Sequence, residues 1–166
     1  MPDTTPENAP KVLAELKASV PRRIFALLVL VSLGVLLLYL GLATDGMALI
    51  SRVFLICFGF SALWVAERLR RATGLTITLT EEDMHDSAGR VLAKIDEIKS
   101  VSRGTFAFKP SHGFSVRLIQ PRPRVWAPGI WWRFGTRIGV GGVTAAPQAK
   151  TMSEILTFLV QDKNGG

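Results

Sequence analysis

Residues 24–44 read IFALLVLVSLGVLLLYLGLAT and contain no charged side chain. A helix of this length, at about 1.5 Å per residue, crosses a hydrocarbon core about 30 Å thick. Residues 47–66, MALISRVFLICFGFSALWVA, form a second apolar stretch in which Arg52 is the single charge. A polar break at residues 44–46 separates the two stretches. The sequence therefore predicts a two-helix transmembrane hairpin over residues 24–66.

The first apolar stretch has a competing interpretation as a cleaved signal peptide. Its uncharged run is longer than a typical signal core and lacks the usual small-residue cleavage site. A second apolar stretch also follows at once. These features favour a membrane helix.

Arg52 is the charged residue inside the second apolar stretch. It lies about one and a half turns into the helix, where its long side chain can extend back to the membrane interface. The alternative is that the guanidinium marks an ion path or pairs with an acidic group of a partner. The position near a helix end favours the first interpretation.

Basic residues flank the predicted hairpin on both sides, whereas the connecting turn has only Asp45. The flanking bases are Lys11, Lys17, Arg22 and Arg23 before the first helix and Arg68, Arg70 and Arg71 after the second. Because positively charged flanks stay on the cytoplasmic side, both termini are predicted to be cytoplasmic. The domain after the hairpin would then face the cytoplasm, which agrees with a chain whose only cysteine is Cys57.

The overall composition combines a basic balance with a high apolar content. The 166 residues include 20 Lys and Arg against 13 Asp and Glu, with 48% apolar residues, a pI near 10.2 and a mean hydropathy of +0.31. Charged and apolar residues must therefore be segregated along the chain, and disorder, collagen and a disulfide scaffold are excluded. We divide the chain into a tail and juxtamembrane segment at 1–23, the hairpin at 24–66 and a cytoplasmic domain at 72–166.

The segment before the hairpin has a polar, proline-rich tail at 1–10 and the sequence KVLAELKASV at 11–20. On a helix, one face of that sequence would hold Val12, Leu13, Leu16 and Val20. We predict a short amphipathic helix on the inner membrane surface, ended by Pro21. A frayed N-terminal extension of the first transmembrane helix is the alternative.

After Gly74 the pattern changes from helical to alternating, as Leu75, Ile77 and Leu79 alternate with threonines. The same criterion predicts short strands at 75–80, 84–86, 91–95, 98–102, 105–109, 114–119 and 131–140. Turns are predicted at 87–89, 103–104, 110–113 and 128–129, the last of them a proline–glycine type II turn. We expect a domain of short antiparallel strands.

The chain ends in a predicted amphipathic helix. Thr151 and Glu154 have the spacing of a capping box, which marks a helix start. The residues that then share one face are Met152, Ile155, Leu156, Leu159 and Val160. Such a stripe is typical of a helix that packs on a sheet.

The run LTITLTEEDMHDSAGRVLAKIDEIKSV, residues 75–101, resembles the opening of bacterial PH-like domains, in which a strand, a turn, a hairpin and another strand succeed one another. Such domains often follow a pair of transmembrane helices, and the resemblance covers roughly residues 47–161. It implies an all-β PH-like barrel or sandwich, partly open and closed by the C-terminal helix, in a multi-pass protein of the bacterial inner membrane. It also implies a role in binding or assembly, with no particular ligand. The segment WAPGIWWRFGTRIGVGG, residues 126–142, departs from the generic pattern.

Residue types suited to catalysis are scarce. The two histidines, His85 and His112, lie in separate predicted turns, and Cys57 lies in the predicted membrane segment. His85 beside Asp83 and Asp86 could hold a metal or transfer a proton, but a solvated turn is favoured. We predict no enzyme activity, no cofactor and no metal.

Two further sequence patterns that could suggest catalysis or phosphate binding are also better explained by turns. Ser111 and His112 are adjacent, and neighbours in sequence rarely point at each other as a nucleophile and its base must. The glycines at 139–142 do not form a phosphate-binding loop, because Thr144 and Ala149 stand where that motif needs glycine. Glycines here more simply permit a bulge or a tight connection.

Charge is ordered along the domain. Residues 81–97 hold six acids, whereas residues 98–153 hold nine bases and no acid. Tryptophans and prolines are interleaved with these bases. The residues predicted to form a functional surface are Arg122, Arg124, Trp126, Trp131, Trp132, Arg133 and Arg137. The alternative is that the tryptophans are core and the arginines a solvated face.

A basic, tryptophan-rich surface beside a membrane anchor predicts binding to anionic lipid headgroups or to a membrane-protein partner. The predicted function is therefore a non-enzymatic, membrane-anchored interaction, scaffold or assembly module. Nucleic-acid binding is the alternative, because arginines and aromatic rings can also contact phosphates and stack on bases. The sequence is also compatible with a homo-oligomer.

Overall fold

The structure is a computed structural model that describes residues 11–102 and 113–165. The predicted tail at 1–10, the strand at 105–109, the turn at 103–104 and most of the turn at 110–113 lie outside the described residues.

Two long apolar helices, α1 (Val20–Ala43) and α2 (Leu49–Ala72), pack against each other as an antiparallel hairpin. Both are long and apolar enough to cross a membrane, and most of their surface is exposed. Glycines allow the close approach: a Cβ on Gly34 would lie 2.8 Å from the Leu63 side chain and 3.1 Å from the Gly59 carbonyl oxygen. The two predicted helices are confirmed, and α2 continues beyond residue 66 to Ala72.

Arg52 lies in the first turn of α2 and reaches back to the hairpin turn. Its Nη2 donates to the Thr44 carbonyl oxygen at 3.0 Å. This oxygen follows the last residue of α1, where carbonyl groups have no partner within the helix. The side chain therefore extends toward the helix end, as the first interpretation predicted, and joins the two helices there.

The predicted amphipathic helix at 11–20 is wrong, because this segment contains a strand, β1 (Ala14–Leu16). β1 pairs antiparallel with β2 (Ile77–Leu79), and Leu16 is fully buried. An isolated helix of ten residues is marginal in water, so pairing with β2 and burial of Leu16 decide the conformation. Pro21 occupies the first turn of α1 and begins a helix instead of ending one.

Two antiparallel sheets form the rest of the domain. The first has the order β1-β2-β3-β4, with β3 at Asp83–Asp86 and β4 at Val91–Lys94. A 3₁₀ turn, Ile95–Glu97, leads into the second sheet, β5-β6-β7. The strands of the second sheet are β5 (Ile98–Ser102), β6 (Phe114–Ala127) and β7 (Trp131–Val140).

β6 is more than twice as long as the predicted strand at 114–119. Its pairing with β7 shifts register between Arg117 and Arg122 and again between Arg122 and Val125. These irregularities absorb Pro121 and Pro123, which lack the N–H that a regular ladder needs. The sequence pattern did not predict that β6 continues past residue 119, because prolines normally interrupt a strand.

The final helix, α3 (Ala146–Gly165), begins five residues before the predicted capping box. That prediction is wrong, because Pro147 already provides a first-turn residue with a helical φ, and Thr151 lies inside the helix. The predicted apolar stripe is confirmed. Met152, Leu156 and Val160 are buried in the core between α3 and the sheets.

The β domain contacts the ends of both long helices. Arg22 donates through Nη1 to the Thr144 carbonyl oxygen at 3.0 Å. Gly129, in the turn between β6 and β7, has φ +81°, in agreement with the predicted turn, and lies against Leu69 of α2 and Thr73 just after it. The helical hairpin is thus inserted between two neighbouring strands, β1 and β2.

Replacing Leu16 distinguishes the observed strand from the predicted amphipathic helix at residues 11–20. Leu16→Ala is expected to lower the free energy of unfolding by about 2–5 kcal/mol, because it leaves a cavity in the core. Val12→Ala is the control, since Val12 is 52% exposed, and should cost less than about 0.5 kcal/mol. Guanidinium unfolding in detergent micelles, followed by tryptophan fluorescence, measures both. Equal effects would indicate the amphipathic helix, on which the two residues share a face.

Candidate functional site

The β6–β7 hairpin presents one side to the interior and the other to the surface. Along β7, Trp131 and Arg133 point inward, whereas Trp132 and Phe134 point outward. We call the basic and aromatic side chains on the outward side of this hairpin the outer face. Its members are Arg117, Arg124, Trp126, Trp132, Phe134 and Arg137.

Aromatic rings form two contacting pairs, one within β7 and one between the outer face and α2. Trp126 and Trp132 are directly opposite each other in the strand pairing. The Trp132 and Phe134 ring centroids lie 5.4 Å apart, and those of Trp126 and Trp64 lie 6.4 Å apart. Trp64 belongs to α2 and is 54% exposed, while Trp126 and Phe134 are each 47% exposed. The Trp64–Trp126 pair therefore links a membrane-length helix to the outer face of the β domain.

Glycines shape this part of the hairpin. Gly135 has φ +58°, opposite the irregular part of β6, a conformation that glycine adopts without strain. Gly139 lies beneath the Trp132 ring, where a Cβ would come within 2.4 Å of the indole. Trp132 consequently lies across β7 and is only partly exposed.

Trp131 and Arg133 do not belong to a surface, contrary to the prediction that included them. Trp131 is 1% exposed and is among the largest buried side chains of the core. Arg133 is also buried, and its guanidinium donates to three backbone carbonyl oxygens. The acceptors are Pro123 at 2.9 Å, Val91 at 3.0 Å and Leu92 at 2.8 Å. Strand alternation explains the correction, because both residues have the inward parity.

Arg133 joins the two sheets. Val91 and Leu92 belong to β4, the edge strand of the first sheet, whose carbonyl groups on that side would otherwise lack partners. Burial lowers the pKa of the Arg133 guanidinium, and the charge of Arg122 lowers it further. Three carbonyl acceptors compensate the buried group.

The remaining arginines of the predicted surface have different surroundings. Arg122 forms an ion pair with Glu97 and is only partly exposed. Arg124 and Arg137 are exposed, as is Arg117 opposite Arg137. Among the described residues these three have no carboxylate within ion-pair distance. The outer face therefore combines unpaired positive charge with exposed aromatic rings.

Sequence reasoning missed the junction between Trp64 and the outer face. The ring of Trp64 in α2 meets the ring of Trp126 in β6. Arg68, four residues on, stacks over the Trp64 ring with its Cζ 5.0 Å from the centroid. The i, i+4 spacing of Trp64 and Arg68 could have indicated this stacking within α2, but it gives no sign of the contact with Trp126.

The possible metal or acid–base group around His85 does not assemble. His85 Nδ1 lies 2.9 Å from Asp83 Oδ1, but Asp86 is directed into a turn. The Asp86 carboxylate accepts from the backbone N–H groups of Ala88 and Arg90 and pairs with the Arg90 side chain at 2.8 Å. Within the described part of the chain, no group of three or more potential metal ligands comes together.

Comparisons of the chain with protein-family models, with curated proteins and with solved structures found no match. The functional argument therefore depends on the geometry of the site.

Substituting Arg133 tests its structural role. Arg133→Met keeps much of the side-chain length but removes every donor, leaving three carbonyl groups in the interior without that partner. We expect a loss of about 2–4 kcal/mol in the free energy of unfolding. Arg124→Met, on the exposed outer face, should change it by less than about 0.5 kcal/mol. Matching losses in the two variants, measured by denaturant unfolding, would contradict this role.

Proposed function

We propose that the chain is a multi-pass integral membrane protein with both termini in the cytoplasm, in which the hairpin anchors a non-enzymatic interaction module. Two exposed apolar helices support the anchor. Basic residues at the two joined helix ends and the lone Asp45 in the connecting turn support the orientation.

We further propose that the module is a PH-like domain of the kind found in the bacterial inner membrane. Two antiparallel sheets followed by one amphipathic helix that packs on them support this assignment. Strand β1 belongs to the same module although it precedes the hairpin.

The contact between Trp64 and Trp126 is the observation that carries the proposed function. It makes the exposed side of α2 continuous with the outer face, so that one aromatic surface extends from the membrane helix onto the β domain. A partner that matches this whole surface must itself occupy both the membrane and the adjacent water. We therefore propose that the module binds a membrane-protein partner and serves its assembly or stability.

The charge of the outer face indicates the chemistry of that partner. Arg117, Arg124 and Arg137 lie on the outer face without carboxylate partners among the described residues. Tryptophan and arginine are also the residue types that contribute most to protein interfaces. We propose that the partner presents acidic side chains just outside its membrane segment.

Photocrosslinking in native membranes tests this function. Phe134→p-benzoylphenylalanine is expected to give a discrete adduct with an integral membrane protein. Phe158→p-benzoylphenylalanine is the control, because Phe158 is exposed on α3, away from the outer face.

Charge reversal then tests the acidic chemistry of the partner. Arg124→Glu with Arg137→Glu should lower the adduct yield about tenfold, because like charges would face each other. Lys94→Glu with Lys99→Glu makes the same change of charge elsewhere and should leave the yield nearly unchanged. If phospholipid were the only adduct, the outer face would bind the bilayer and not a protein partner. A nuclease-sensitive adduct would indicate that it binds nucleic acid.

A further inference from the structure

A second basic feature lies beside the hairpin, where the end of α2 meets the β domain. It is a cleft of about 240 Å³, which we call the arginine cleft. Its lining consists of Arg68, Arg71, Ala72, Leu75, Arg90, Trp126, Ala127 and Pro128. Among the described residues that line it there are three guanidinium groups and no carboxylate. Such a lining favours an anionic group with an apolar neighbour.

The three guanidinium groups retain many unused donors. Arg68 stacks on Trp64 and has no hydrogen-bond acceptor among the described residues. Arg71 uses Nε toward Glu67, and Arg90 uses Nε and Nη2 toward Asp86. Since a guanidinium has five N–H donors, most of those facing the cleft are available to a ligand.

Two of the three arginines that line the cleft, Arg71 and Arg90, pair with carboxylates of the protein. The Asp86 carboxylate is fully buried and fixes Arg90, whose Cζ lies 5.7 Å from the centroid of the Trp131 ring. The Glu67 carboxylate pairs with Arg71 Nε at 2.7 Å, and because both side chains are exposed this pair restrains Arg71 less than Asp86 restrains Arg90. A site whose donors are already positioned loses less conformational entropy when it binds a ligand.

The position of the cleft along α2 matches the headgroup layer of a bilayer. Tryptophan prefers the boundary of the hydrocarbon core, and Trp64 is exposed on α2. Arg68 lies four residues further on, about 6 Å along the helix axis, and Arg71 lies about 10 Å along it. The polar layer on each side of a bilayer is about 5–8 Å thick, so Arg68 would lie at the level of lipid phosphates and Arg71 at the outer edge of that layer.

We propose that the arginine cleft binds the phosphate group of an anionic phospholipid in the adjoining leaflet. The three guanidinium groups donate to the phosphate oxygens, a geometry that arginine favours. Trp126, Leu75 and Pro128 contact the glycerol and the first acyl carbons. A soluble phosphate ester has the same anionic chemistry but would leave the apolar part of the lining, Leu75, Trp126 and Pro128, without an acyl chain to contact. This site adjoins the outer face proposed to bind the protein partner and shares Trp126 with it.

Native mass spectrometry of the full chain, extracted in detergent and titrated with phosphatidylglycerol, tests the proposal. Arg68→Gln with Arg71→Gln should weaken phosphatidylglycerol binding about tenfold, because charge-assisted hydrogen bonds are lost. Lys94→Gln with Lys99→Gln removes the same charge at two exposed positions outside the cleft and the outer face, and should change binding less than about twofold. Arg90 is left intact, since Asp86 would otherwise lose its partner.

Further measurements decide between the remaining outcomes. Both double variants should keep the wild-type unfolding midpoint. Arg68→Lys should retain only part of the lipid binding, because lysine keeps the positive charge but lacks the planar fork of donors. Equal weakening by the two double variants would overturn the proposal in favour of general attraction. Phosphatidylcholine bound as tightly as phosphatidylglycerol, or glycerol phosphate displacing the lipid at equal concentration, would also overturn it.

Discussion

The pairing of β1 with β2 is the constraint on which the rest of the structure depends. These strands are neighbours in the sheet, with Leu16 opposite Ile77, although the whole helical hairpin lies between them in the chain. The start of α1 and the end of α2 must therefore lie side by side at the same edge of the β domain. Contacts of Arg22 with Thr144 and of Leu69 with Gly129 reinforce this arrangement. A domain attached at both ends has little freedom to turn away from its helices, which keeps the Trp64–Trp126 contact in place.

Within the β domain, the parity of a single strand decides which basic residues can bind a partner. Arg133 and Phe134 are adjacent in β7, yet one is buried against backbone carbonyl groups and the other is exposed. Moving the register by one residue would exchange their positions. The buried guanidinium also binds the edge of β4, so a side chain joins the two sheets, between which the described strands form no pairing. The β6–β7 hairpin thus provides both the side chain that joins the two sheets and the residues of the outer face.

Much of the fold could be predicted from local patterns, because the determinants are local. The two apolar stretches, strand β7 at its observed bounds and the stripe of α3 all follow from periodicity. β1 could not be predicted, since a strand of three residues is stabilised only by a partner more than 60 residues away. The candidate site was predicted in part: Trp126 and Trp132 lie on the outer face, but composition could not show that Trp131 is core.

Net charge alone gives little guidance to where this protein binds, because its arginines serve different purposes. Arg133 compensates backbone groups in the interior, and Arg122 is paired with Glu97. A positive charge contributes to recognition only where it is unpaired and adjoins a surface that a ligand can cover. Both such places, the outer face and the arginine cleft, contain Trp126 beside the end of α2. Binding at either place would therefore be coupled to the position of the β domain on its helices, since Trp126 contacts Trp64 only when that position is kept.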